Sequence, residues 1–464
     1  MPKKYHIDVR VTPNRYPRIG RSGIVDWGEG CLKCPVCVKQ ECVYNVYRER
    51  KFSTDIMADT IDELCKSCFR CVQGCPRRLI HKTLNPEWEA LGDDVYTPEI
   101  ISMNWEHART GKIPVSGAGY GGAFSGSGFD SMWTDMSEIV RPTRDGIHGR
   151  EYISTVVDIG RRHQRLQFDA DGGLLTKPYP YIRLPIPILF NILPFGDLSS
   201  GVWRAVLTAA SRLETMALVP IDTAEQFPEF KSSIAAVHTR ESWNPEDFRG
   251  YRMVELIDSR HVLDQVATLK KIDPEMIVSV RVPADSSKSA DRIVQLAENG
   301  VEAVHCAADE RGREPGADDG AHIADITREV HTALLRFGIR DEITLMVSGG
   351  LGMAEHVIKS MLCGANLVGV DVPLLIALEC RVCRNCRDGG ACPANISKVE
   401  VPWAAQRIVN LIGAWHNQSL EMMGAMGIRE ARRLRGEQGR VMFFEDLEAE
   451  TFGRLFGARR QTLP

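Results

Sequence analysis

The chain has 464 residues, 44% of them hydrophobic and 25% charged, with 57 basic and 61 acidic side chains giving a net charge of −4. This is the composition of a soluble globular protein of about two to four domains. Near-balanced charge excludes a basic face for nucleic acid or anionic lipid, and no apolar run reaches the roughly 18–20 residues needed to span a bilayer. The opening MPKKYHIDVRVTP has no apolar segment after its lysines, so no secretory signal is expected and the protein is read as cytoplasmic.

The first feature along the chain is a pair of cysteine groups within residues 1–90. Cys31, Cys34, Cys37 and Cys42 are spaced C-x2-C-x2-C-x4-C. Cys65, Cys68, Cys71 and Cys75 are spaced C-x2-C-x2-C-x3-C, with Pro76 next. The second spacing is the bacterial ferredoxin run for a 4Fe–4S cluster. Two-residue steps turn three thiolates toward three irons, and a more distant cysteine closes the fourth corner. In two-cluster ferredoxins that cysteine ligates the other cluster, which gives crossed sets: Cys31/Cys34/Cys37/Cys75 and Cys65/Cys68/Cys71/Cys42. The longer last gap of the first group, followed by Val43 rather than Pro, leaves crossed and local ligation both open. Paired structural zinc sites are the alternative chemistry for the same thiols. Residues 1–90 are expected to form a ferredoxin-like electron-transfer module with two 4Fe–4S clusters.

Residues 91–180 read as a connecting segment rich in Gly and Arg. Gly117–Gly122 matches G-x-G-x-x-G, but its turn-forming flanks and nearby Pro114 favour a packed or flexible loop over a dinucleotide site. Arg141, Arg144, His148 and Arg150 follow, suited to a phosphate or to a neighbouring domain.

From residue 181 to 395, short apolar runs alternate with amphipathic stretches. Eight runs read as strands: Ile188–Phe195, Met216–Ile221, Ala235–His238, Met253–Ile257, Met276–Val282, Ala303–Ala307, Ile343–Val347 and Leu367–Val370. Helices are expected over Gly201–Leu213, His261–Lys271, Ser289–Glu298, His322–Phe337 and Ala354–Cys363. Eight strands with intervening helices predict an α/β fold of (β/α)8 barrel type, with the active site at the C-terminal strand ends. Ser348, Gly349 and Gly350 end the seventh run and Gly369 lies in the eighth. That is the usual barrel phosphate site, although such glycines can also only shape turns. Arg240, Arg281 and Arg311 lie at or beyond strand ends, placed to clamp carboxylates or to make rim salt bridges.

A third cysteine group, Cys380, Cys383, Cys386 and Cys392, follows the eighth run. A cluster beside a phosphate-anchored cofactor implies electrons passing between them, and FMN, which accepts single electrons and passes hydride, suits that arrangement. A zinc knuckle on the rim is the alternative. Cys306 and Cys363 stand alone in apolar runs and are expected to be buried free thiols. Residues 396–464 read as a C-terminal helical extension.

Taken together these residues resemble the FMN-binding synthase domain of glutamate synthases, in particular the short archaeal-type form with a ferredoxin-like N-terminus. Phe195-Gly196-Asp197-Leu198-Ser199 resembles the family's S-F-G-A-L-S, and Glu255-Leu256 stands where the family has an E-I-K strand. VSGGLGMAEHVIKSMLCGANLVGV and MMGAMGIREARRL resemble its late strands and C-terminal segment. Cys380, Cys386 and Cys392 read C-x5-C-x5-C-P against the family's C-x5-C-x4-C-P, with Cys383 additional, so a third cluster of 3Fe–4S or 4Fe–4S type is implied.

The resemblance implies FMN held by Phe195, Gly196, Ser199, Ser348, Gly349, Gly350 and Gly369, with Arg281, Glu255 and Arg240 at the reacting centre. It implies reduction of 2-iminoglutarate, formed from 2-oxoglutarate and ammonia, to glutamate. Two departures bear on the substrate. Ile257 and Arg281 replace the family's strand lysines, and AADERGREPGADDG (307–320) replaces its G-H-D-G-G-T-G-A-S-P loop. A related synthase acting on glutamate and an amine, as in N-methylglutamate formation, is therefore a second reading. A non-catalytic electron-transfer subunit is a third. The family's N-terminal cysteine nucleophile and β-helix have no counterpart here. Separate glutaminase or amidotransferase and β-helix subunits are implied, with ferredoxin or a reductase as electron donor.

Overall fold

The computed structural model describes every residue except 1–4, 28–29, 52–59, 114–127, 136–152, 163–164, 318 and 458–464. The Gly117–Gly122 motif and Arg141, Arg144, His148 and Arg150 fall outside the described residues. The chain forms two compact units: Pro13–Ser102 with Arg381–Cys383, and Met1–Thr12 with Met103–Cys380 and Arg384–Pro464. Among the described residues, no helix is long and apolar enough to cross a membrane.

In the smaller unit, β1 (Ser22–Trp27) pairs antiparallel with β2 (Ile80–Leu84), and a short helix, α1 (Arg70–Gly74), carries Cys71. Its buried cluster is Cys37, Val38, Val46, Tyr47, Cys71 and Ile80. So small an apolar core leaves a segment of this length marginal, and bound metal is the usual supplement. Two of the six core side chains are themselves thiols.

The larger unit contains β3 (Met132–Thr134), β4 (Val157–Gly160) and β5 (Tyr181–Leu184) before its central sheet. Eight parallel strands then close into a barrel: β6 (Ile188–Phe190), β7 (Ala217–Pro220), β8 (Ile234–Val237), β9 (Met253–Ile257), β10 (Ile277–Pro283), β11 (Ala303–Ala307), β12 (Thr344–Ser348) and β13 (Leu367–Val370). Strands buried on both faces need continuous apolar sequence rather than alternation. That is why runs such as Ile234-Ala235-Ala236-Val237, wholly buried, form them. The first run stops at Phe190, not Phe195. Asn191 still donates to the Val370 carbonyl at 2.8 Å, but Pro194 has no N–H with which to continue a ladder.

Between the strands lie α2 (Ser200–Arg212), α3 (Val262–Ile272), α4 (Ser289–Glu298), α5 (Ile323–Arg336), α6 (Ala354–Cys363) and α7 (Val372–Ala377). The 25-residue α8 (Val401–Ala425) packs on α2, α6 and α7 and so belongs to the barrel's outer layer. Within it, buried Arg407 donates to the Ala377 carbonyl at 2.6 Å and Asn410 to the Arg10 carbonyl at 2.6 Å. Arg407 thus ties α8 to α7, and Asn410 fastens residues near the N-terminus onto the barrel.

After α6 the chain turns at Gly364 (φ +131°), where a Cβ would lie 2.4 Å from that of His331, so only glycine fits. At the N-terminal end of the barrel, β4 and β5 pair antiparallel, and Val157, Ile159, Ile182 and Leu184 join the core. The Thr344 hydroxyl bonds both the amide and the carbonyl of Gly160, at 3.0 and 2.9 Å. That end is plugged, which leaves the opposite mouth for a site. β14 (Val441–Phe443) returns to pair with β3.

Candidate active site and thiol groups

Four of the eight barrel strands are wholly apolar, and the other four carry one polar side chain near the C-terminal end: Glu255 on β9, Arg281 on β10, His305 on β11 and Ser348 on β12. Asn191 and Asp371 follow β6 and β13 directly. Glu255 and His305 are fully buried, and Ser348, Asp371 and Asn191 nearly so. They form one chain of hydrogen bonds around the inside of the barrel. Asp371 accepts from Asn191 Nδ2 at 3.0 Å, and Asn191 Oδ1 accepts from Arg281 Nη2 at 2.6 Å. Arg281 Nε donates to Glu255 Oε1 at 2.6 Å; Glu255 Oε2 lies 2.9 Å from His305 Nδ1, and His305 Nε2 lies 2.8 Å from Ser348 Oγ.

The electrostatics decide which atoms carry protons. Burial alone would raise the Glu255 carboxyl, but Arg281 and His305 beside it reverse the sign and hold it below the ordinary range. Burial lowers His305, only partly opposed by Glu255, so the ring is neutral. An ionised carboxylate can only accept, so the His305 proton sits on Nδ1 and Nε2 accepts from the Ser348 hydroxyl. Asp371 is pushed up to about 6 by burial, against the Val372 amide and Asn191. A buried charge network of this kind costs desolvation energy and is poor evidence of a stability device. It lies at the C-terminal end of the barrel strands, the end at which (β/α)8 barrels carry their active sites.

The expected site residues distribute unevenly. Arg281 and Glu255 are in the network, and Arg281 Nη1 has no partner among the described residues. Arg240 is not in it. Its guanidinium is committed to Asp222, Glu225 and Asp247 at 2.7, 2.6 and 2.5 Å, which is the rim salt-bridge role and not a substrate clamp. Ser348 bonds His305, and Gly369 keeps the inner layer open, since a Cβ there would lie 3.2 Å from those of Asn191 and Ser348.

Phe195 packs 5.6 and 5.2 Å from the Arg384 and Arg387 guanidinium carbons. Both arginines pair with Glu310. Ser199 precedes α2, and its hydroxyl donates to the Ser397 carbonyl at 2.8 Å. Gly196 has φ +119°, a conformation suited to glycine at the turn before α2.

Gly350 has a protein partner in the turn after β12. Gly350 N donates to the Glu310 carbonyl at 3.3 Å, and the nearby Gly352 N to His356 Nδ1 at 3.1 Å. A Cβ on Gly350 (φ +68°) would lie 2.8 Å from Arg311 O and Gly312 Cα. The turn therefore seats the 307–320 loop. Gly350→Ala is expected to cost about 1–3 kcal/mol from the left-handed backbone alone, and more from that contact. Thermal unfolding of the full chain measures it, and an unchanged melting temperature would rule out this packing role.

Sequence reasoning missed His305, Asn191 and Asp371. The available signal was a lone polar residue inside, or directly after, an otherwise apolar strand.

In the smaller unit, Cys31, Cys34, Cys37 and Cys75 line one concavity with Leu32, Pro76 and Ile80. Burial raises the Cys37 thiol to about 11, with Cys34, Cys31 and Cys75 adding to it. Cys71 has Cys65 and Cys42 as its thiol neighbours, and Lys82 faces Cys65, Cys71 and Cys68. Two converging sets of four thiols fit a pair of metal clusters in their donor chemistry. Cys380 is buried, and Cys383, Cys386 and Cys392 are half-buried. Cys306 and Cys363 are buried, as expected of free thiols in apolar runs.

Fold and site define the class: an α/β enzyme on a closed (β/α)8 barrel, with a cysteine-rich N-terminal unit. Residues 239–429 match the family described as the conserved region in glutamate synthase. The chain is similar to glutamate synthases over this region and is a glutamate synthase-like oxidoreductase. It is similar to the archaeal-type glutamate synthase (NADPH) of Dehalococcoides mccartyi, 24% identical over 88% of this chain and 92% of that protein. The archaeal glutamate synthase (NADPH) of Archaeoglobus fulgidus is 24% identical over 91% of this chain and 94% of that one. The corresponding protein of Methanocaldococcus jannaschii is 24% identical over 95% of each.

Proposed function

We propose that the protein is an iron–sulfur flavoprotein synthase that reduces 2-iminoglutarate, formed from 2-oxoglutarate and ammonia, to glutamate. Electrons enter through clusters on the two N-terminal thiol sets and pass by way of a cluster on Cys380, Cys383, Cys386 and Cys392. FMN, when bound at the barrel mouth, supplies the hydride. The donor set fits such a group: a fixed guanidinium, a hydroxyl and the space left by Gly369 meet at one end of the barrel.

The observation that carries this reading is the buried network centred on Arg281. Glu255 and Asn191 hold two of its nitrogens and leave Nη1 for a substrate carboxylate or a flavin carbonyl. His305 fixes the Ser348 proton, so the lone pairs of Ser348 Oγ remain for a donor in the mouth. Asp371, near 6, is the network's acid closest to titrating at neutral pH. The relatives are named for NADPH, and we propose that a reductase partner or ferredoxin passes electrons to the N-terminal thiol unit. Separate amidotransferase-type subunits would supply ammonia.

One observation favours the second reading, a synthase joining glutamate and an amine. Ile257, at the end of β9, is 41% exposed, an apolar surface suited to an N-alkyl group. The deciding experiment is anaerobic. The reduced protein is given 2-oxoglutarate with excess ammonium, and flavin reoxidation is followed together with glutamate. Prompt reoxidation with matching glutamate is expected. A flavin that stays reduced here, from a chain that converts glutamate and an amine to the N-alkylglutamate with release of ammonia and no net change in flavin oxidation state, would replace this reading with the second.

A further inference from the structure

The two N-terminal thiol sets differ in their surroundings. Backbone amides reach both. Lys33 N lies 3.4 Å from Cys31 Sγ, Leu79 N 3.4 Å from Cys75 Sγ and Ser67 N 3.4 Å from Cys65 Sγ. Cys75 draws further amides from Arg77, Arg78 and Ile80. These are neutral dipoles. Arg77 also lines the concavity of Cys31, Cys34, Cys37 and Cys75, but its side chain is exposed, where water and salt screen it.

The other set has a side-chain cation in direct contact with it. The Lys82 ammonium, half-buried on β2, donates directly to Cys65 Sγ and faces Cys71 and Cys68 as well. The Tyr47 hydroxyl, on a side chain buried in the middle of the unit, is directed to Cys71. A cluster gains one negative charge on reduction. A cation or hydrogen bond on its sulfurs therefore stabilises the reduced form more than the oxidised one and raises the potential. A charge-assisted bond is roughly twice as strong as a neutral one.

Resting on the cluster reading proposed above, we propose that Lys82, supported by Tyr47, sets the potential of one cluster only. That cluster is the one on Cys42, Cys65, Cys68 and Cys71, which becomes the more easily reduced of the two. Within this unit electrons then run from the Cys31/Cys34/Cys37/Cys75 cluster to the Cys42/Cys65/Cys68/Cys71 cluster. Neither residue is a ligand, and neither touches substrate.

The test is an anaerobic redox titration followed by electron paramagnetic resonance, on the full chain with iron and sulfide counted. In the wild-type background two N-terminal couples are resolved. Lys82→Gln is expected to move one of them by about tenfold in its reduction equilibrium, about 59 mV for a one-electron couple, toward harder reduction. Tyr47→Phe moves the same couple in the same direction by less, and Lys82→Arg restores most of the wild-type value. Placed in a Cys75→Ala chain, which keeps only the Lys82-side cluster, Lys82→Gln gives the full shift. In a Cys42→Ala chain it gives none. Equal shifts of both couples, or no shift of either, would overturn the assignment while leaving the clusters in place. A wild-type chain that binds neither iron nor sulfide in this unit would overturn the cluster reading itself.

Discussion

Replacing Arg281 by methionine is expected to destabilise the protein by about 3–5 kcal/mol at neutral pH, the usual cost of stranding one partner of a buried ion pair. Glu255 is 0% exposed and Arg281 18%, so little solvent is at hand to compensate. The effect also has a pH signature. In the wild type the Glu255 carboxyl is depressed, so its contribution is present above the ordinary carboxylate range and fades only as pH falls through the low folded value. Without Arg281, burial dominates and the folded carboxyl rises above its unfolded value. The stability deficit of the variant then shrinks as pH is lowered from 8 to 5, while the wild type stays level from this group. Adding Glu255→Gln to Arg281→Met removes the stranded charge and should recover a substantial part of the loss, which marks the two as coupled. Anaerobic urea unfolding at both pH values reads all three. A deficit under about 1 kcal/mol, unchanged with pH, would mean that the pair is not the centre of the network.

The barrel was legible because each of its strands is a short apolar run between amphipathic helices, and no side-chain detail is needed to see that. Ser289–Glu298 and Ala354–Cys363 are helices with the bounds expected from the pattern. The inner polar layer was not legible. Which residues of a doubly buried strand face inward depends on barrel stagger, and His305 within Ala303-Val304-His305-Cys306-Ala307 has neighbours that are all buried. Gly349 and Gly350 illustrate a different limit. A glycine pair after a late strand suits a phosphate as well as a close backbone approach, and the approach of residues 311–312 to Gly350 is a long-range contact that the glycines themselves do not announce. Arg240 shows the same for charge: its carboxylate partners come from two separate segments, Asp222 and Glu225 after β7 and Asp247 after β8. Thiol spacing is a local constraint that a sequence displays, whereas Lys82 lies on a strand that pairing alone brings to Cys65.

Crossed ligation makes a sharper claim than a count of cysteines, and pairs of substitutions expose it. If Cys75 completes the Cys31 set and Cys42 the Cys65 set, Cys31→Ala and Cys75→Ala each remove the same cluster. The double variant then loses no more than either single change, about half of the iron in the N-terminal unit. Cys31→Ala with Cys42→Ala strikes both sets and should remove both clusters, together with flavin reduction through this unit. Local ligation predicts the reverse, with Cys31/Cys42 the redundant pair and Cys31/Cys75 the destructive one. Iron and sulfide per chain, with resonance signals to identify the cluster that survives, distinguish the two patterns. A Cys31/Cys42 variant that keeps one N-terminal cluster would reject the crossed arrangement. The concavity shared by Cys31, Cys34, Cys37 and Cys75 would then need another occupant. The crossed result carries a mechanical consequence: α1 and the loop of the first group are tied together twice, once in each direction. Loss of either cluster should therefore loosen both loops, and protection of the amides around Cys71 and Cys37 from hydrogen exchange should fall together in every single variant.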